Sequence, residues 1–275
     1  NNTCSSFGHF DCDFTDFLRS FGPDKFANKA WFKGSSPSGI SSYQKVTVGD
    51  LEIIFLHLPQ DTPQAEVEWA DEVLDANPGT LVHLTTHRYL FDYRLTEELP
   101  EPLDDLPAGR FNGLTYLLAN QNLVFNTGLP ADDLFDDFIA RHPNIFAVHC
   151  GHVDAEFKQV STNEAGLPVY EILADYQDAA DGGGGWLRIL KFQPSKNQIK
   201  VFTLSTLTGE LRENGDGFDH AIYELETYMG AATPVIEGLG YDIADYELLL
   251  EQIKTEGSQE RLDYYGWLYG DGDRD

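Results

Sequence analysis

The sequence predicts an α/β protein in which helices cover a β-sheet. Three observations carry that prediction. A strand, an amphipathic helix and a second strand follow one another between residues 51 and 85. A short apolar run over 145–148 is followed by Gly151, His152 and Asp154, where such a strand would end. Four β-rich runs then succeed one another between residues 156 and 204. Strand and helix signals in that alternation place helices against an apolar sheet face.

The elements follow in chain order. The aromatic segment over 12–26 predicts a packed, irregular stretch. Residues 46–48 and 51–58 predict a hairpin about Gly49-Asp50, a pair suited to a tight turn. Thr62-Pro63 opens a helix, with Thr62 as cap and Pro63 in the first turn. Its residues Val67, Ala70, Val73 and Leu74 share one face, and Asn77-Pro78-Gly79 stops it. Residues 81–85 predict a buried strand that ends in Thr86-His87. From 91 to 130 the chain is acidic, proline-rich and irregular, and a connection that long is expected to wall or cover a site. A second helix is expected over 132–142, its first-turn acids matched to the helix dipole. The runs 156–161, 168–173, 186–192 and 199–204 predict a meandering antiparallel sheet. Ile243, Tyr246, Leu249, Leu250 and Ile253 form one stripe and predict a helix over 242–255. Residues 1–229 are therefore expected to form one domain, and 230–275 a helical acidic extension.

Composition narrows the partners. The chain has 275 residues, 41% of them hydrophobic, which is enough for a substantial core. Its 46 acidic and 18 basic residues give a formal charge of −28. Such a field repels nucleic acid and anionic membranes, so neither is an expected partner. It suits a salt-rich or calcium-rich medium, and equally a plainly soluble acidic surface. No apolar run is long enough to span a bilayer. Cys4 and Cys12 suit a small disulfide loop, and Cys150 adjoins the candidate site. The opening residues, with no Met and a motif almost at once, suggest a processed product or a piece of a longer protein. An extracellular or periplasmic location is the expectation.

An imidazole and a carboxylate two residues apart, as in His152 and Asp154, can converge on one divalent cation. His87 closes a neighbouring strand, and Gly8-His9-Phe10-Asp11 stands at the start of the chain. In this order, Gly8-His9-Phe10-Asp11, Thr86-His87 and Gly151-His152-Val153-Asp154 resemble the metal motifs of the calcineurin-like metallophosphoesterase superfamily. The flanks extend the resemblance from Gly8 to Leu207. FGPDKFANKAWFKG is similar to the segment after the first motif in bacterial members. Asp175-Tyr176-Gln177, then Gly182 to Gly185 and Trp186-Leu187-Arg188, is similar to their NYQ…GGNGWLR signature.

The resemblance implies a layered β-sandwich flanked by helices, with the customary first strands missing from these residues. It implies that His9, His87 and His152 hold one divalent metal (zinc, manganese or iron), with Asp154 as a further ligand. One site is expected rather than two, because the family's Asp-x-His and Gly-Asp elements have no counterpart here. It also implies a departure: Phe10 stands where the family has the histidine that protonates the leaving group. The expected function is metal-dependent phosphoester hydrolysis, on a small phosphoester, if a second polypeptide completes the domain with the missing ligands. The alternative is an inactive metal-binding or scaffold subunit that keeps the fold. The remaining histidines, His57, His83, His142, His149 and His220, are expected in core or surface roles. Gly182 to Gly185 lacks the Lys-Ser/Thr of a phosphate-binding loop and is expected to be a turn. Asp271, Asp273 and Asp275 read as a solvated acidic tail, and Asn1-Asn2-Thr3 as a chance glycosylation sequon.

Overall fold

A computed structural model describes residues 14–48, 51–91, 109–111, 128–193, 198–212 and 222–224. The expectations for His9, Phe10, Cys4, Cys12, the Gly49-Asp50 turn, His220 and residues 230–275 lie outside them, as does most of 91–130.

Helix α1 (Thr15–Phe21) is short and leads through a 3-10 turn at Pro23–Lys25 into β1 (Phe32–Ser35). Strands β2 (Ser42–Val48) and β3 (Leu51–His57) pair antiparallel through seven residue pairs, as the hairpin pattern predicts. Helix α2 (Gln64–Asp75) buries Val67, Ala70, Val73 and Leu74, the four positions that share a face. Burying a side chain of the size of Leu74 contributes about 1.5–3 kcal/mol. Thr62 is not the cap, however: its hydroxyl donates to the Pro59 carbonyl at 2.9 Å, and Pro63 precedes the helix instead. The neighbouring Asp61, at φ 47°, turns the chain before Thr62 and leaves the hydroxyl facing that carbonyl.

The next strand, β4 (Leu81–Arg88), runs three residues beyond its apolar segment, so His87 lies within it and not after it. Strands β5 (Leu90–Phe91) and β6 (Gly109–Arg110) form a small antiparallel pair. The helix expected over 132–142 is shorter. Helix α3 (Ala131–Asp137) ends where Phe138 leaves helical geometry at φ −131°, and a 3-10 turn, Ile139–Arg141, follows. Phe138 and Ile139 are fully buried, so packing rather than helix periodicity sets the backbone there. Strand β7 (Ile145–Gly151) completes the run that ends at the candidate site.

Strands β8 (Glu156–Thr162) and β9 (Pro168–Ala174) form a hairpin, but β9 also pairs parallel with β7. The result is a mixed sheet of seven strands in the order β1-β2-β3-β4-β7-β9-β8. Its centre, β3, β4, β7 and β9, is parallel, and its edges are antiparallel. Helices α2 and α3 flank it, with Val67, Leu74, Leu134 and Phe138 packing in one core with Ile54, Leu56, Val82, Leu84 and Val148.

A buried charge crosses this first unit. Glu171 on β9 is fully buried, and Arg110 on β6 meets it with two parallel bonds of 2.6 and 2.7 Å. Arg110 also donates to Ser161 at 2.5 Å and lies 3.5 Å above the Phe135 ring centroid. A carboxylate without water needs such a fork, since it supplies both donors and charge.

The described residues divide into two compact units, one ending at Asp175 and the other beginning at Tyr176. In the second, β10 (Trp186–Gln193) and β11 (Gln198–Ser205) form a hairpin; β11 also pairs with β12 (Leu211–Arg212) and β13 (Ile222–Glu224). The antiparallel meander expected over 156–204 is thus two hairpins in separate sheets, because β9 takes a parallel partner and β10 does not. Gly182 to Gly185 all have positive φ and form the expected turn before β10.

Candidate metal centre at the ends of two parallel strands

Strands β4 and β7 run parallel and side by side, so their carboxyl ends open on the same edge of the sheet. Ligand sites in sheets with parallel centres form at that edge. The ladder pairs Thr85 with His149 and then, across an irregularity, Arg88 with Gly151. That shift places His87 opposite the turn that carries His152.

His152 has φ 82°, a backbone state that side-chain-bearing residues rarely adopt. Its ring faces His87: His152 Nδ1 and His87 Nε2 are 3.2 Å apart, and the rings meet edge to face with centroids at 5.0 Å. Two nitrogens bound at about 2.0–2.1 Å to a tetrahedral cation sit roughly 3.3 Å apart. The observed separation therefore fits a shared cation as well as a direct N–H to N hydrogen bond. Phe111 packs its edge against His152, with ring centroids 6.3 Å apart.

Burial of the pair favours neutral imidazoles, the form that ligates metal. Burial first, then His87 and Arg88, push the His152 pKa down to about 4, with Asp175 and Asp61 opposing. Burial also lowers the His87 pKa; Arg88 adds to the drop while Asp175 and Asp61 oppose it. Arg88 and Asp61, both buried, form an ion pair whose two charges act on both rings in opposite directions. Asp175 accepts the His152 backbone N–H at 2.7 Å.

The sequence singles out His9, His87, His152 and Asp154. The structure brings His87 and His152 together, places Asp154 on an exposed bend two residues further on, and leaves His9 outside the described residues. Among the described residues, no group of three His, Cys, Asp or Glu side chains converges closely enough to hold a metal. Asp61 and Arg88 are charged groups that motif spacing does not reveal, and Asp175, quoted in the sequence only as part of the flanking signature, joins them beside the pair. Their approach depends on strand pairing rather than on distance along the chain.

The other described histidines have separate partners. His57 bonds Thr85 and Gln44, His142 bonds Asp71 at 2.6 Å, and His83 stacks on His149 with centroids at 4.5 Å. Cys150 is buried, and burial pushes its thiol up to about 12, which disfavours the thiolate at neutral pH. Among the described residues no helix is long and apolar enough to cross a membrane.

The fold and this edge define an α/β protein with a histidine pair at the carboxyl ends of two parallel central strands. No family model matches the chain. It is similar to the Bacillus subtilis (strain 168) protein described as "Uncharacterized protein YvnB", 24% identical over 204 residues. That alignment takes in 72% of this chain but 13% of the YvnB length, so the chain spans a small fraction of that relative.

Proposed function

We propose that the chain is a calcineurin-like metallophosphoesterase in lineage, a β-sandwich protein whose His87 and His152 share one divalent cation. The observation that carries this reading is the 3.2 Å separation between His152 Nδ1 and His87 Nε2, the spacing of two ligands on one ion. The order of the three motifs along the sequence supports it, as does the lowered pKa of both rings. His9 is the third imidazole in this reading, and Asp154 a further ligand. Zinc fits an imidazole set best, with manganese or iron as the other candidates.

Such a cation polarises a phosphoryl oxygen and acidifies a bound water. The residues of this chain contribute the rest: two neutral imidazoles oriented by the strand ends, and a carboxylate, Asp175, that balances the charge. Phosphoester or phosphoanhydride hydrolysis requires ligands for a second ion, from sequence outside these 275 residues or from a second polypeptide. Small phosphoesters are then the substrates. The −28 charge argues against nucleic acid and anionic membranes as partners, and this reading keeps the extracellular or periplasmic location expected from the sequence.

A second reading, a metal-binding scaffold without turnover, is favoured by Phe10 at the position of the proton-donating histidine. Elemental analysis of the purified protein together with hydrolysis of p-nitrophenyl phosphate and bis-p-nitrophenyl phosphate separates the two. One equivalent of metal with hydrolysis supports the enzyme, and one equivalent without hydrolysis supports the scaffold. Absence of bound metal, with none taken up on titration, overturns both.

A further inference from the structure

We infer that Asp175 is the positioning residue of the histidine pair, holding the turn that aims His152 at His87. The inference rests on the metal-binding reading above and assigns a residue that its ligand set does not include.

The bend over 152–155 joins β7 to β8 and carries both His152 and Asp154. Asp175, the first residue after β9, fastens it at both ends. Its carboxylate Oδ2 accepts the N–H of His152 at 2.7 Å, and its own backbone N–H donates to the carbonyl of Ala155 at 3.1 Å. Parallel pairing makes this possible: Cys150 lies opposite Leu173, so the residue just past β9 falls beside the residue just past β7. The left-handed backbone of His152, at φ 82°, is a state that needs an outside contact to persist. The Asp175 bond supplies that contact at the very N–H that the unusual φ presents.

Gly151 fits the same arrangement. A Cβ on Gly151 would stand 3.1 Å from Asp175 Oδ2 and 3.7 Å from His87 Nδ1, so the missing side chain is what lets the carboxylate come close. From there the Asp175 carboxylate lies beside the histidine pair, bonded to the backbone of one ligand. Asp175 thus does two things for a cation held by the pair. It fixes the backbone that orients one ligand, and it places a negative charge beyond the first ring of ligands. Outer partners of this kind typically change metal affinity by 10–100-fold.

The test compares Asp175→Ala and Asp175→Asn with the unaltered full chain, using cobalt(II) absorption and zinc competition against a chromophoric chelator, with folding checked by circular dichroism. The amide oxygen of Asn can still accept the His152 N–H, whereas Ala cannot. Asp175→Ala is expected to lose at least tenfold in zinc affinity and to alter the cobalt band shape. Asp175→Asn is expected to keep the band shape and recover most of the affinity. Folded Asp175→Ala that binds both ions as the unaltered chain does, or Ala and Asn variants that fail alike, would overturn the positioning role. Should Asp175→Ala not fold, a failure of Asp175→Asn to keep the cobalt spectrum decides against it. If the unaltered chain gives no cobalt spectrum at all, the metal-binding reading fails first, and this role falls with it.

Discussion

Replacing His83 by Leu should remove a specific acid-sensitivity from the fold. His83 lies on β4, 3% exposed, between the rings of Phe55 and Phe146 and against His149. Its ring nitrogens have no side-chain partner among the described residues. Burial, and secondarily His57, push its pKa down to about 4 from an ordinary 6.5. The native state therefore resists protonation that the unfolded chain accepts. Above pH 6.5 both states are neutral at this ring and its protonation has no effect on stability. As pH falls from 6.5 to about 4, the unfolded state takes up the proton and stability is lost. At about 1.4 kcal/mol per tenfold, the full loss is about 3 kcal/mol, with roughly 2 kcal/mol gone by pH 5. Urea unfolding followed by circular dichroism at pH 7.5 and pH 5 measures it. The carboxylates respond to pH in both proteins, so the difference between the two drops isolates His83. His83→Leu should lose about 2 kcal/mol less than the unaltered chain over that interval. Equal drops would refute the reasoning and mean that the native ring titrates normally.

Three further outcomes follow from the same packing. Arg110→Met leaves the Glu171 carboxylate buried without its cation, and should cost about 3–5 kcal/mol in urea unfolding; adding Glu171→Leu should restore most of that, and no restoration would count against the ion pair. Leu74→Ala, at a position 2% exposed between α2 and the sheet, should cost about 2–5 kcal/mol by the same assay, and a loss under about 1 kcal/mol would show that α2 is not docked there. Gly151→Ala crowds Asp175 to 3.1 Å and should weaken zinc binding in chelator competition while the protein stays folded; unchanged zinc affinity would contradict the close approach.

Much of the first unit is legible residue by residue. The helix face of Val67, Ala70, Val73 and Leu74 and the buried start of β4, apolar except for His83, are patterns that burial imposes directly on sequence. Thr62 misleads because its hydroxyl donates to the Pro59 carbonyl rather than accepting from a helix N–H, a choice that the sequence does not display. Strand order is a harder matter. Nothing local in 168–174 distinguishes a meander strand from one inserted beside β7, since both are short and apolar. That insertion brings Asp175 to His152, so the role of this carboxylate, quoted in the sequence only as part of a flanking signature, is not legible from spacing while the two imidazoles are. The helix over 132–142 breaks for a related reason: fully buried Phe138 and Ile139 are placed by tertiary packing that helix periodicity does not register.

The central claim is that His87 and His152 hold the same ion. Anomalous diffraction at the zinc edge, from crystals of the protein grown with zinc, tests it most directly. The account predicts one strong peak about 2.1 Å from both His152 Nδ1 and His87 Nε2. A peak elsewhere on the protein, with these two nitrogens still joined directly to each other, would contradict it.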